Sequence, residues 1–206
     1  MRKPDVPRLL IISDGKQTRA PIADVLKNLC AAGAPWLLLR EENLSRDEQR
    51  ELARQVMMHC GRTKISISDD VEWALEIGVH GIHVAPEADL ESIRAAAKDL
   101  IMGVHCHNIA DIARAQDIGA DYVTLSPVFL TASKPGYGPA LGIETLRVAA
   151  RDCRIPILAL AGVTLDNVAE CMAAGAHGVA VMGEIMRAEN PPEMMRRFRD
   201  GLQKMI

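Results

Sequence analysis

Four passages of this chain repeat one another: AAGAPWLLL, EIGVHGIHV, DIGADYVTL and AAGAHGVAV. Each runs a helical pattern into a glycine (Gly33, Gly78, Gly119, Gly175) and starts an apolar strand a few residues later. Glycine closes a helix at little cost because the left-handed cap conformation carries no Cβ penalty. Further units in the same strand-then-helix order lie between these passages. The pattern predicts eight strands, at about 8–14, 36–41, 64–69, 81–86, 101–107, 122–128, 156–162 and 178–185. PILALAG reads as buried on both faces, as a parallel strand covered by helices should be. Helical patterns include SRDEQRELARQVMMHC, IADIARAQDIG, GIETLRVAARD and LDNVAECMAAG. PPEMMRRFRDGLQKM closes the chain, its prolines tolerated at a helix start.

Eight such units in 206 residues point to a compact (β/α)8 TIM barrel forming a single domain over 1–206. A doubly wound open sheet is the alternative. It would use a glycine-rich first turn for a dinucleotide, and SDGKQTRAP contains no GxGxxG.

Composition narrows the function classes. The chain is 49% hydrophobic, enough for a sizeable core, with formal charge −3 and no basic tail that would suit nucleic acid. Aromatics are only 3%, which argues against a stacking platform for single strands. No run is long enough for a secretion signal or a membrane span, so a cytoplasmic location is expected. The five cysteines form no Cys-x-x-Cys pair and read mainly as small core residues, and Cys106 should face away from His105 and His107.

In a barrel the loops after the strands form the ligand face. LALAGVTLDN places Gly162 at a strand end before a helix expected to be capped by Thr164. Its early N–H groups would receive an oxyanion, and Met182 and Gly183 after strand eight would add others. Loop six, FLTASKPGYG, offers the Thr131 and Ser133 hydroxyls and the Lys134 ammonium to the same phosphate. Pro135 stiffens it, and Gly136 and Gly138 let it fold over a ligand. Arg40, ending WLLLR, would clamp a second phosphate with its planar fork. Glu41 and Glu42 either orient it or begin a solvated loop. ISISDD supplies Asp69 or Asp70 as a hard magnesium ligand, the other capping a helix. His105 and His107 share a strand face, and one would serve as general acid or base. His83 reads as a core histidine.

With these loops in view, the chain resembles the thiamine-phosphate synthase and TenI-like superfamily. The resemblance runs through LLLREENLS, ISISDDVEWALEIGVHGIHV, GADYVTLSPVFLTASKPGYGPALG and IPILALAGVTLDNVAECMAAGAHGVAV. It implies a transferase that joins hydroxymethylpyrimidine diphosphate to hydroxyethylthiazole phosphate and releases diphosphate. Arg40 and Lys134 would contact the diphosphate, and Asp69 would match a Mg2+ ligand. Thr131, Ser133, Gly162, Met182 and Gly183 would match the thiazole-phosphate receptor.

Departures from the family pattern fall on the diphosphate half. Leu38 and Glu42 replace a glutamine and a lysine, and Ser68 takes an asparagine position in the substrate-binding set. Ala88 aligns with a second metal aspartate, for which Asp89 would serve only if the loop slips by one residue. His105 stands where a serine is expected. TenI-like tautomerases need neither diphosphate nor metal, but their histidine after strand six is Pro127 here, so His105 or His107 would have to act instead. A non-catalytic phosphometabolite-binding protein is the third reading. The expected partner is a phosphorylated small molecule, with neither nucleic acid nor membrane, and the reading is compatible with a homodimer.

Overall fold

The computed structural model describes residues 5–131 and 139–205. Its strands are β1 Leu9–Ile12, β2 Trp36–Leu39, β3 Lys64–Ser68, β4 Gly81–Val84, β5 Ile101–Cys106, β6 Tyr122–Leu125, β7 Ile157–Leu160 and β8 Gly178–Val181. They pair in parallel and in chain order, with β8 returning to β1 to close the ring. The (β/α)8 expectation is met, and the open-sheet alternative is excluded by the β1–β8 pairing. Regular strand is shorter than expected, ending at Ile12, Leu39 and Leu125 in β1, β2 and β6.

The helices are α1 Ile22–Ala31, α2 Arg46–His59, α3 Val71–Ile77, α4 Leu90–Ala96, α5 Ile109–Asp117, α6 Gly142–Asp152, α7 Val168–Ala173, α8 Gly183–Met186 and α9 Pro191–Gln203. The four repeated glycines all adopt positive φ, from 71° to 98°, directly before strands β2, β4, β6 and β8. The sequence repeat is therefore a repeated helix stop. α2 starts with a reciprocal capping box, in which Ser45 Oγ accepts the Glu48 amide and Glu48 Oε2 accepts the Ser45 amide. α9 starts on the Asn190 cap, carries the two prolines in its first turn and buries Met195, Phe198 and Leu202. No described helix is long and apolar enough to cross a membrane.

Strand alternation divides the apolar side chains into two cores. Leu9, Ile11, Leu37, Leu39, Ile65 and Ile67 face outward against the helices. Leu10, Ile12, Trp36, Leu38, Leu158 and Ala180 face into the ring. The interior is also divided by polarity. β3, β4 and β6 contribute Ser66, His83, Tyr122 and Thr124, all buried. The Trp36 indole donates to Ser66 Oγ at 2.8 Å, and His83 Nδ1 meets the Tyr122 hydroxyl at 2.9 Å, so this half is hydrogen-bonded. His83 is the core histidine expected. Gly103 lets the Tyr122 ring cross β5: a Cβ there would lie 2.1 Å from Cζ of Tyr122.

Candidate functional site

A cavity of about 270 Å3 opens at the C-terminal ends of the strands. Ile12, Leu160 and Ala180 form its apolar floor, while Arg40, His105, Ser126, Thr131, Thr164 and Arg187 bring polar groups to the wall. Gly162, Met182 and Gly183 line it as well. Loops two, five, six, seven and eight thus meet at one opening. Ser133 and Lys134, with Pro135, Gly136 and Gly138, lie outside the described residues.

Loop seven is fixed by loop six. The Val128 and Phe129 amides donate to the carbonyls of Leu160 and Ala161 at 3.0 and 3.2 Å. Ala161 (φ 73°) and Gly162 (φ 65°) are both left-handed. A Cβ on Gly162 would meet the Leu130 carbonyl at 2.3 Å, so the packing of loop six requires glycine here. The N–H groups of Gly162 and Val163 donate to no described residue. They lie at the cavity and suit an oxyanion.

The expected cap at Thr164 forms locally, its Oγ accepting the Asp166 amide at 3.3 Å, although regular helix follows later. α7 begins only at Val168, and the Thr164 amide is taken by Asn167 Oδ1 at 2.8 Å. Asn167 also donates from Nδ2 to the Gly162 carbonyl at 2.9 Å. An amide side chain thus ties the loop together and removes one donor from the anion receptor, leaving those of Gly162 and Val163.

At the opposite wall, Ser13 Oγ accepts the Arg40 amide at 3.0 Å, which sets the end of β2 against β1. The Arg40 guanidinium is ion-paired with Glu42. Glu41 turns the other way: it is buried, and its Oε2 accepts the Gly15 amide at 2.8 Å. Burial raises the Glu41 pKa, against the lowering effects of Ser13 and Gly15. The two adjacent acids therefore split, one bracing loop one and one covering Arg40. Leu38, in the family's glutamine position, is fully buried in the apolar half of the ring.

Ser68 and Asp69 fall in a neighbouring cleft rather than in the main cavity. Asp69 has φ 59°, a left-handed conformation that aspartate tolerates better than most residues, and its Oδ1 accepts the Ala85 amide at 3.0 Å. Desolvation raises its carboxyl pKa more than Ala85 and Arg40 lower it, although much of the residue's surface reaches solvent. Asp70 caps α3 by accepting the Trp73 amide at 3.0 Å, the helix-capping role foreseen for one of the pair. Asp89 caps α4 through the Ser92 amide. No group of three His, Cys, Asp or Glu converges among the described residues. Asp69 alone, through Oδ2, would thus hold magnesium, with substrate oxygens and water completing its shell.

His105 and His107 share one face, with ring centroids 4.4 Å apart. Only His105 lines the cavity, and its Nε2 lies 2.7 Å from Ser126 Oγ. His107 Nδ1 donates to the Ser126 carbonyl at 3.2 Å. Below them His83 is held neutral, its pKa pushed down to about 3 by burial and by the charges of His105 and Arg40. Cys106 points away into the outer core, where burial raises its thiol.

Sequence reading missed Ser126 and Arg187. Ser126 continues the inward register Tyr122, Thr124, Ser126, a period-two signal. Arg187 follows Gly183 by four residues, one turn along, and bonds Gln17 from the first loop.

Residues 9–185 match the family model described as thiamine monophosphate synthase, TMP-TENI. The chain is 33% identical over 207 residues to the thiamine-phosphate synthase of Bacillus velezensis, covering 97% of this chain and 92% of that protein. It is 34% identical over 187 residues to the thiamine-phosphate synthase of Geobacillus thermodenitrificans, covering 87% and 85%. Among solved structures, the thiamine phosphate pyrophosphorylase from Pyrococcus furiosus superposes with a TM-score of 0.86 at 24% identity, covering 97% of this chain and 96% of that one, which shows a shared fold. The chain belongs to the thiamine monophosphate synthase (TMP-TENI) family.

Proposed function

We propose that this protein is a thiamine-phosphate synthase-like transferase. It would join hydroxymethylpyrimidine diphosphate to hydroxyethylthiazole phosphate and release diphosphate. The observation that carries this reading is the pair of amides at Gly162 and Val163, which have no partner among the described residues, in one cavity with Thr131 and, across it, Arg40.

The amides and the Thr131 hydroxyl would hold the thiazole phosphate and aim the ring inward. The pyrimidine would lie toward Arg40, with its diphosphate outward. The methylene C–O bond breaks, and its electron pair leaves on the diphosphate oxygen. The thiazole nitrogen lone pair then forms the C–N bond to the methylene cation. Ile12, Leu160 and Ala180 exclude water that would otherwise capture that cation. Magnesium, when bound, supplies positive charge for the leaving diphosphate. Catalysis of this kind rests on positioning and electrostatics rather than covalent help from the protein.

A second reading rests on His105. Its 2.7 Å contact with Ser126 at the cavity wall suits a proton transfer within a bound thiazole carboxylate phosphate, a TenI-like tautomerisation. The test supplies both synthase substrates with magnesium, and the tautomerase substrate in a parallel reaction. Thiamine phosphate in the first reaction supports the transferase. Isomerised thiazole in the second alone replaces it, and turnover in neither leaves a binding protein.

A further inference from the structure

Glu41 follows Arg40 directly, but where Arg40 lines the cavity, Glu41 turns under the first loop and is only 4% exposed. Its Oε2 approaches the backbone there so closely that a Cβ on Gly15 would lie 3.0 Å from it. The other oxygen, Oε1, is buried with no hydrogen-bond partner among the described residues. A buried carboxylate oxygen without a donor makes the ionised form costly to keep. An apolar or amide side chain would avoid that cost, and sites that retain it are commonly functional.

The carboxyl stands behind two contacts that reach the cavity. Ser13 Oγ accepts the Arg40 amide at 3.0 Å, which leaves its own proton to donate, and the Ser13 side chain accordingly favours the ionised form of Glu41. Gly15, held by Oε2 at 2.8 Å, opens the 3-10 turn Gly15–Gln17. Gln17 closes that turn, its Nε2 donating to Asp14 Oδ2 at 2.5 Å and its Oε1 accepting from the Arg187 guanidinium. Arg40 and Arg187 both line the cavity, from loops two and eight. One buried acid is thus linked to cations on two of its walls.

We propose that Glu41 is a positioning residue. Ionised, it clamps loop one through Ser13 and Gly15 and so sets Arg40 and Arg187 for a phosphorylated ligand; protonated, it releases both. Its part in diphosphate transfer rests on the transferase reading. Few groups face the carboxyl. From loop one, Asp14 opposes its ionisation and Lys16 favours it. Ile22 of α1 lies beside Gly15, and Gln49 of α2 donates to the Glu41 carbonyl at 3.0 Å, both uncharged. The chain neighbours Arg40 and Glu42 are paired with each other. Burial outweighs these influences and raises the carboxyl above its ordinary pKa. The folded state therefore binds this proton more readily than the unfolded one. The group's contribution to stability is full below the ordinary carboxylate pKa and is lost as pH rises through the raised value. Ionised Glu41 is kept at a cost to the fold, so Glu41→Gln should unfold no more easily than wild type at about pH 8.

In protein labelled with the heavy nitrogen isotope, the backbone amide peaks of Gly15 and Arg40 and the side-chain Nε peak of Arg187 are followed from about pH 8 to about pH 4. All three are expected to move with one shared midpoint above the ordinary carboxylate range, and to lose that step in Glu41→Gln. Inorganic diphosphate is then titrated by calorimetry. At about pH 8, Glu41→Gln is expected to bind it about tenfold more weakly than wild type. Across pH the variant supplies the ligand's own ionisation, and wild-type affinity should fall toward that of the variant at the shared midpoint. A Gly15 step that either arginine fails to share confines Glu41 to bracing the loop and overturns the proposal. Equal diphosphate affinity in the two proteins, or binding by neither, overturns it as well. The wild-type peaks decide even where the variant does not fold. Absence of thiamine phosphate formation would remove the transferase reading separately and leave both titrations, which need no turnover, standing.

Discussion

Arg40 and Glu42, two residues apart at the end of β2, are ion-paired at the mouth of the barrel. The cation that would meet a diphosphate is thus covered by a carboxylate of its own loop, while the Gly162 and Val163 amides across the cavity have no partner among the described residues. On the transferase reading, the described residues equip the monophosphate end of the site better than the diphosphate end.

Gly162 is required both by its φ of 65° and by the 2.3 Å approach of the Leu130 carbonyl to a Cβ. A left-handed non-glycine residue costs about 1–2 kcal/mol and an overpacked contact about 1–3 more, so Gly162→Ala should lose roughly 2–5 kcal/mol in denaturant unfolding. Gly142→Ala, at φ 78° with no described residue within 4 Å of its added Cβ, should lose only the conformational part, about 1–2 kcal/mol. Equal losses in the two variants would remove the packing argument for loop six.

His83 gives the fold an acid-sensitive component. Its pKa is about 3 in the folded chain against about 6.5 when unfolded, so between these values the unfolded state binds the extra proton. Stability should therefore rise with pH through this window, and fall by about 2 kcal/mol from pH 6.5 to 5 on this group's account. Below about pH 3 the contribution of His83 is gone and its slope ends. His83→Gln should flatten the dependence between about pH 5 and 6.5, measured by urea unfolding at each pH; an unchanged slope would assign the acid sensitivity to other groups.

Ser126 separates the two chemical readings. Forming a methylene cation needs no proton relay, so Ser126→Ala should slow thiamine phosphate formation by no more than about threefold, within the worth of one neutral hydrogen bond. A tautomerisation through His105 would instead slow by about tenfold or more, since general acid–base catalysis contributes about 10²–10⁴. Rates of both reactions in the variant decide between them.

The ring was legible because its signals are local. Gly33, Gly78, Gly119 and Gly175 each stop a helix within a few residues of the next strand, and the structure gives all four positive φ. The anion corner was half legible: Gly162, Met182 and Gly183 line the cavity as their loops implied. That Asn167 shares the tying of loop seven with Thr164 was hidden, since only the folded loop shows its side chain taking the Thr164 amide while Thr164 Oγ takes that of Asp166. Arg187 escaped notice because its partner Gln17 is 170 residues away. The separation of Asp69 from the main cavity depends on how α2 and α3 pack, which no spacing within ISISDD records.

Glu42→Lys should return positive charge beside Arg40. A unit pair about 4 Å apart interacts by roughly 4 kcal/mol at an effective dielectric near 20. Glu42 is 67% exposed, and solvent screening reduces the expected gain to about 1 kcal/mol, near fivefold in affinity for the diphosphate substrate. Affinity for thiazole phosphate, assigned to loops six to eight, should stay unchanged by calorimetry. Equal diphosphate-substrate affinity in a folded variant would place Glu42 outside that field.

The most direct measurement is thiamine phosphate formation from the two synthase substrates, by wild type and Glu42→Lys, at matched ionic strength and magnesium. Both proteins are predicted to form the product, the variant with a lower KM for the pyrimidine diphosphate and the same KM for the thiazole phosphate. No product from either, in folded protein that still binds thiazole phosphate, would contradict the transferase account.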